Sequence, residues 1–172
     1  MLKGKKILLI IGGGIAAFKC HDLIRKLRDK GAHVTPVLTE AGKEFVTPLS
    51  ISVLSSSKVY MELFDFDDEI QMGHIELSRA SDILLVVPAT ANLLAKMAGG
   101  MADDLATTLL LATNKKVFVA PAMNVKMWEH SATQRNIGIL QQDDIQFVGP
   151  YEGDCLLYTS DAADDTPCVD LG

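Results

Sequence analysis

Three short runs of almost uninterrupted apolar residues limit how this chain can fold: Ile7-Leu8-Leu9-Ile10-Ile11, Ile83-Leu84-Leu85-Val86-Val87 and Val117-Phe118-Val119-Ala120. A strand with one solvated face alternates apolar and polar residues, so runs without alternation belong to strands covered on both faces. Glycine or proline cuts off each run: Gly12-Gly13-Gly14 after the first, Pro88 after the second, Pro121 after the third. Helical stretches lie between them. Strands alternating with helices predict a single α/β domain with a doubly wound, mostly parallel sheet. At 172 residues, with 48% apolar and 22% charged residues, the chain can bury one core and lacks the composition of a disordered segment.

The spacing predicts a first strand over 6–11, then the glycine loop. A helix follows through about Lys30, with Leu23, Ile24 and Leu27 on its apolar face and Gly31 as its stop. Residues 33–38 read as the second strand, with Pro36 suited to a sheet edge because proline cannot donate to a ladder. Residues 41–46 and 48–54 read as helical, the second with Pro48 in its first turn. Residues 59–64 are ambiguous, and 65–68 read as an acidic turn. Further on, helices are expected near 93–97 and 104–112 with a break at Gly99-Gly100, then one helix over 125–140 and a last strand over 146–148. Pro88 and Pro121 are taken to close their strands. From Cys155 the periodicity disappears, so residues 1–154 are read as the domain and 155–172 as an atypical tail, truncated or foreign.

The net charge of −6, with no basic stripe beyond Lys3, Lys5, Lys6 and the face of the first helix, argues against a nucleic-acid partner. No apolar run approaches a membrane span, and residues 7–11 are too short for a signal sequence, so a soluble cytoplasmic protein is expected. Cys20, Cys155 and Cys168 have no metal-ligand spacing, and no metal is expected.

Open parallel sheets bind ligands beyond the carboxyl ends of their strands. Gly12-x-Gly14-x-x-Ala17 fits a loop whose backbone can approach a phosphate while the next helix aims N–H groups at it. The acid expected after the second strand of a dinucleotide binder is preceded by Thr39, with Glu40 only second, which favours a mononucleotide phosphate. A tight turn without a ligand is the alternative. His74 reads as an acid/base or carboxylate-binding group, or as an ordinary exposed histidine. Asn124 stands where a strand gives way to a helix and reads either as the helix cap or as a ligand group. Met123, Met127 and Trp128 suit core packing or a cover over a flat ring; Asp103-Asp104 suits a helix start.

Several strings together resemble the flavin-dependent cysteine decarboxylase family and, within it, the branch acting on phosphopantothenoylcysteine. They are Gly12-Gly13-Gly14-Ile15-Ala16-Ala17-Phe18-Lys19, Leu38-Thr39-Glu40, Thr47-Pro48-Leu49-Ser50 and Met72-Gly73-His74-Ile75-Glu76-Leu77. Pro88-Ala89-Thr90-Ala91-Asn92, Gly100-Met101-Ala102-Asp103-Asp104-Leu105, Pro121-Ala122-Met123-Asn124-x-x-Met127-Trp128 and Gly149-Pro150 follow in family order. The resemblance implies a flavodoxin-like domain that binds FMN and forms homotrimers or dodecamers with sites at protomer contacts. By position it implies that Gly13, Gly14, Ile15, Ala16 and Thr39 hold the FMN phosphate side. Ala89, Thr90, Ala91 and Asn92 would line the flavin with Ala102, Asp103 and Asp104. His74 would be the catalytic histidine, and Met123 with Asn124 would clamp the substrate, Asn124 near its carboxylate.

Such enzymes oxidise the thiol end of the substrate with FMN, release carbon dioxide, and return the hydride to give 4′-phosphopantetheine. The family continues Gly-Pro-x-x-Gly-x-x-Ala-Cys-Gly, but Leu157 stands at the cysteine position and Cys155 two residues early. This departure predicts an impaired final reduction. Peptidyl-cysteine decarboxylation and a non-catalytic flavin-binding regulatory role are the rival readings.

Overall fold

The computed structural model describes residues 2–63 and 74–149, the side chains of residues 74 and 75 excepted. The acidic turn expected at 65–68, the end of the ambiguous stretch at Phe64, Pro150 and the tail all lie outside the described residues.

The apolar runs become strands β1 (Lys6–Ile11), β3 (Ile83–Ala89) and β4 (Lys116–Pro121), joined by β2 (His33–Leu38) and a short β5 (Gln146–Phe147). All pairings are parallel, in the order β2-β1-β3-β4-β5. The doubly wound, flavodoxin-like sheet predicted from the sequence is therefore present. The chain winds outward in one direction from β1 to β2 and in the other from β3 to β5, so the switch point lies between β1 and β3.

The strand period of two explains the two-sided core. Leu8 and Ile10 of β1 join one buried cluster with Leu84, Val86, Val117 and Val119; Leu9 and Ile11 join the other with Val34, Leu38 and Val87. The second cluster is covered by Ile24 of α1 (Cys20–Asp29) and Ile51 of α2 (Pro48–Ser55). Leu77, Leu94, Leu109 and Leu140 cover the first. They belong respectively to α3 (His74–Arg79), α4 (Ala91–Ala98), α5 (Leu105–Ala112) and α7 (Ser131–Gln142). Each fully buried leucine or isoleucine contributes about 2 kcal/mol through the area it removes from water.

Pro36 sits on the outer strand, as expected. His33 and Thr39 donate inward to β1, whereas the Pro36 carbonyl and the Leu38 N–H bond outward to Tyr60. The missing N–H thus falls on the outer side of the strand, away from β1. Tyr60, in the ambiguous stretch, adds an isolated parallel bridge to Val37.

Two local expectations are corrected. Pro88 does not end its strand: β3 runs to Ala89, its register with β4 shifts between Val86 and Ala89, and the ladder resumes with Ala89 opposite Pro121. Pro121, by contrast, closes β4 as expected, as its last residue. The single helix expected over 125–140 is two, α6 (Val125–Glu129) and α7, because His130 takes an extended backbone and its Nδ1 accepts the Ala132 N–H at 3.1 Å. Residues 74–79 form a short helix, with Leu77 and Ser78 buried. Residues 15–19 and 41–44 are tight 3-10 turns, and Gly31 takes the positive φ of 82° that its stop position demands.

The Cys20 thiol lies wholly inside and donates to the Val87 carbonyl at 3.1 Å. Burial pushes its pKa from 9.0 up to about 12. Between those values the unfolded chain surrenders the proton and the folded chain keeps it, so stability falls as pH rises from about 9. Urea titrations at pH 8 and pH 10.5 are expected to show Cys20→Ala losing less stability over that interval than the parent, by about 1–2 kcal/mol. Equal losses would contradict the assignment.

Candidate functional site

The strands are parallel, so their carboxyl ends share one edge, and the candidate residues collect there. A Cβ on Gly12 would stand 2.3 Å from the Pro88 carbonyl oxygen, and one on Gly13 would stand 2.4 Å from the Ala41 Cβ. The first two glycines therefore let three segments touch backbone to backbone. Gly14 differs. Its Cβ would meet nothing nearer than Thr90 Cγ2 at 4.0 Å. Gly14 opens the turn Ile15–Lys19, which runs straight into α1 and receives no side-chain cap. The N–H groups of Ile15 and Ala16 have no partner within the helix at such a start, and the helix dipole is positive there. This open cradle fits a phosphate.

Thr39 serves the same corner differently from the expectation. Its Oγ1 donates to the Ile11 carbonyl at 3.0 Å and accepts the Gly42 N–H at 3.1 Å. The hydroxyl proton is committed to the fold, tying the end of β1 to the turn at Ala41. At the next strand end Ala89 is buried, and Thr90 caps α4 by accepting the Leu93 N–H at 3.2 Å. Ala91 is half-buried and Asn92 exposed on the first turn of α4. The Ala122 N–H donates to the Ala89 carbonyl at 3.1 Å, which brings the two strand-proline turns together.

Asn124 follows immediately and caps α6, its Oδ1 accepting the Lys126 N–H at 2.8 Å. Because an N–H needs an oxygen opposite it, this bond fixes which end of the amide is which. The two Nδ2 protons have no partner among the described residues. Cap and ligand group are thus opposite ends of one side chain. Met123 is buried in the core and Trp128 packs against it, while Met127 is 49% exposed. His74 opens α3, which packs against α5; its side chain lies outside the described residues.

A cleft of about 310 Å³ opens beside β2, lined among others by Thr39, Glu40, Met61, Leu63, Asp103 and Asp104. Ala102 and Asp103 are exposed at the turn before α5. Asp104 forms a capping box with Thr107, its Oδ1 accepting the Thr107 N–H and Oγ1–H at 2.8 Å each. Partial burial would raise the Asp104 pKa, but the Thr107 bonds and Lys96 outweigh it and hold the carboxyl below the ordinary range. Lys96 is raised by its bonds to Asp103 and then Asp104. Sequence reading missed Lys96, because its partners lie seven and eight residues away across a turn. Among the described residues no cluster is placed to hold a metal ion, and no helix is long and apolar enough to cross a membrane.

A parallel 2-1-3-4-5 sheet with an open glycine cradle at its switch point defines a flavodoxin-like α/β protein. The family model described as Flavoprotein matches residues 1–167, and the chain belongs to that family. It is 51% identical over 153 residues to the coenzyme A biosynthesis bifunctional protein CoaBC of Vibrio vulnificus (strain YJ016), covering 89% of this chain and 38% of that protein. To the CoaBC of Escherichia coli (strain K12) it is 47% identical over 152 residues, covering 88% and 37%. The chain therefore spans little more than a third of the curated relatives it matches.

Among solved structures it is similar to a PPC decarboxylase mutant complexed with pantothenoylaminoethenethiol. That match has 30% identity and a TM-score of 0.76, covering 95% of this chain and 88% of the other. It is also similar to the FMN-dependent cysteine decarboxylase SpaF, with 30% identity and a TM-score of 0.77, covering 86% and 84%.

Proposed function

We propose that the chain binds FMN and decarboxylates 4′-phospho-N-pantothenoylcysteine on the way to 4′-phosphopantetheine, as a carbon-carbon lyase of coenzyme A biosynthesis. The observation that carries this reading is the amide of Asn124. One end is tied to the backbone, and the other offers two donors at the sheet edge that carries the glycine cradle. Paired N–H donors held rigidly at such an edge suit a carboxylate.

When bound, FMN supplies the oxidation and return reduction of the thiol end that let the carboxylate leave as carbon dioxide. The cradle from Gly13 to Ala16 holds the phosphate side, with Thr39 keeping the neighbouring turn in place. Ala89, Thr90, Ala91 and Asn92, with Ala102, Asp103 and Asp104, form the flavin-side walls. Asn124 and Met123 form the substrate clamp, Asn124 near the carboxylate, and His74 is assigned the proton transfer.

The active form is read as a homotrimer or dodecamer in the cytoplasm. Exposed apolar side chains support self-association: Leu49 is 74% and Val53 67% exposed on α2, with Ile15, Phe18 and Phe45 also open.

The test is to purify the chain, record its flavin absorbance, and follow carbon dioxide and product mass with phosphopantothenoylcysteine. A yellow protein that releases carbon dioxide is expected. Because Leu157 stands where the resembled family has cysteine, product lighter by two hydrogens should appear, one per flavin reduced unless dissolved dioxygen reoxidises the flavin. A colourless protein, or carbon dioxide only from peptides ending in cysteine, would overturn the reading.

A further inference from the structure

The turn between α4 and α5 is held by one cation. Lys96 Nζ donates to Asp103 Oδ1 at 2.8 Å and Oδ2 at 2.9 Å, and to Asp104 Oδ2 at 3.0 Å. The ammonium thus faces three carboxylate oxygens at once, both of Asp103 and one of Asp104. The Lys96 backbone holds the same turn, its carbonyl accepting the Met101 N–H at 3.0 Å after Gly100 reverses the chain at a φ of 64°. Asp104 Oδ1 is already saturated by Thr107. The clamp therefore fixes both aspartates and, through them, the backbone from Gly100 to Ala102.

The charge pattern of the cleft gives the clamp a second effect. Its lining carries Glu40, Glu62, Asp103 and Asp104 and, among the described residues, no lysine or arginine. An anionic ligand approaching these side chains meets repulsion unless they are neutralised from behind. Lys43 pairs with Glu40 at 2.6 Å, and Lys96 pairs with both aspartates.

We propose that Lys96 is a positioning residue of the flavin site: it sets the Gly100–Asp104 wall and cancels the charge of the two carboxylates that face the cleft. This rests on the FMN reading above. Lys96 is not among the residues that line the cleft and acts through Asp103 and Asp104.

The experiment is a fluorescence titration of FMN into the deflavinated parent and variants, with thermal melts alongside. Lys96→Met is expected to weaken FMN binding about tenfold, because two rim carboxylates lose their counter-charge and their anchor. Lys96→Arg, which keeps charge and donors, should stay within about threefold of the parent. Adding Asp103→Asn to Lys96→Met should restore part of the affinity, and added salt should shrink the deficit of Lys96→Met. If Lys96→Met does not fold, Lys96→Gln replaces it, with a loss of about threefold to tenfold expected. A lowered melting temperature with unaltered FMN affinity would leave Lys96 a structural residue and overturn the inference. A parent that takes up no FMN would instead overturn the functional reading on which it rests.

Discussion

Asn124→Asp is expected to leave the fold standing while lowering kcat/KM by about a thousandfold. Aspartate caps a helix as well as asparagine does, and its charge suits the positive end of α6, so the bond from the Lys126 N–H survives. The other end of the side chain changes completely. Two Nδ2 donors become a carboxylate oxygen, which can accept but not donate. A charge-assisted hydrogen bond of about 2–3 kcal/mol is lost and a like-charge repulsion of about 1–2 kcal/mol is added. Together these correspond to about three orders of magnitude in kcat/KM.

Asn124→Ser keeps a cap without adding charge and should lose only about one to two orders of magnitude. Thermal melts and steady-state kinetics on the two variants separate capping from ligand binding. An Asn124→Asp enzyme within threefold of the parent would mean that the residue is a helix cap and nothing more.

How much of this was legible in the sequence follows from which signals are local. The strands were readable because a strand buried on both faces must be apolar throughout, and residues 7–11, 83–87 and 117–120 are. Parallel pairing followed from the alternation with helices, whereas the strand order and the place of the switch point needed the structure. The edge place of Pro36 was also readable, since only one side of an outer strand goes without ladder donors. Other features depend on long-range partners. The Thr39 hydroxyl looked available to a phosphate because nothing in the local sequence reveals that its proton goes to the Ile11 carbonyl, 28 residues earlier.

The break at His130 was hidden because residues 125–140 contain no proline and keep an apolar period; a ring nitrogen accepting the Ala132 N–H ends one helix and begins the next. Residues 74–79 make a helix too short for its period to register, yet Leu77 is core. Pro88 misled in the opposite direction, because the ladder shifts register at the missing donor and then resumes. Lys96 is the extreme case: no spacing rule links a lysine to carboxylates seven and eight residues on until the turn at Gly100 is known.

Within the glycine loop, two single methyl groups are expected to have opposite effects, and this pair tests the cradle most directly. Gly12→Ala drives a Cβ to 2.3 Å from the Pro88 carbonyl oxygen, backbone against backbone with no soft side chain to yield. The strands cannot spread to admit it, because Ile10 and Val86 are paired just before the contact. A cost of about 3 kcal/mol and a fall in melting temperature of roughly 6–12 °C are expected. Gly14→Ala meets nothing nearer than 4.0 Å, and its φ of 161° is extended backbone that alanine adopts freely. Stability should change by no more than about 0.5 kcal/mol. The added methyl stands at the mouth of the cradle, where a phosphate must approach the N–H groups of Ile15 and Ala16, so FMN affinity should drop at least about tenfold. Melting curves and flavin titrations on both variants measure this. Gly14→Ala binding FMN as the parent does would return the loop to the alternative its sequence allowed, a tight turn with no ligand. A stable Gly12→Ala would instead mean that the loop does not press on Pro88 as closely as the sheet geometry requires.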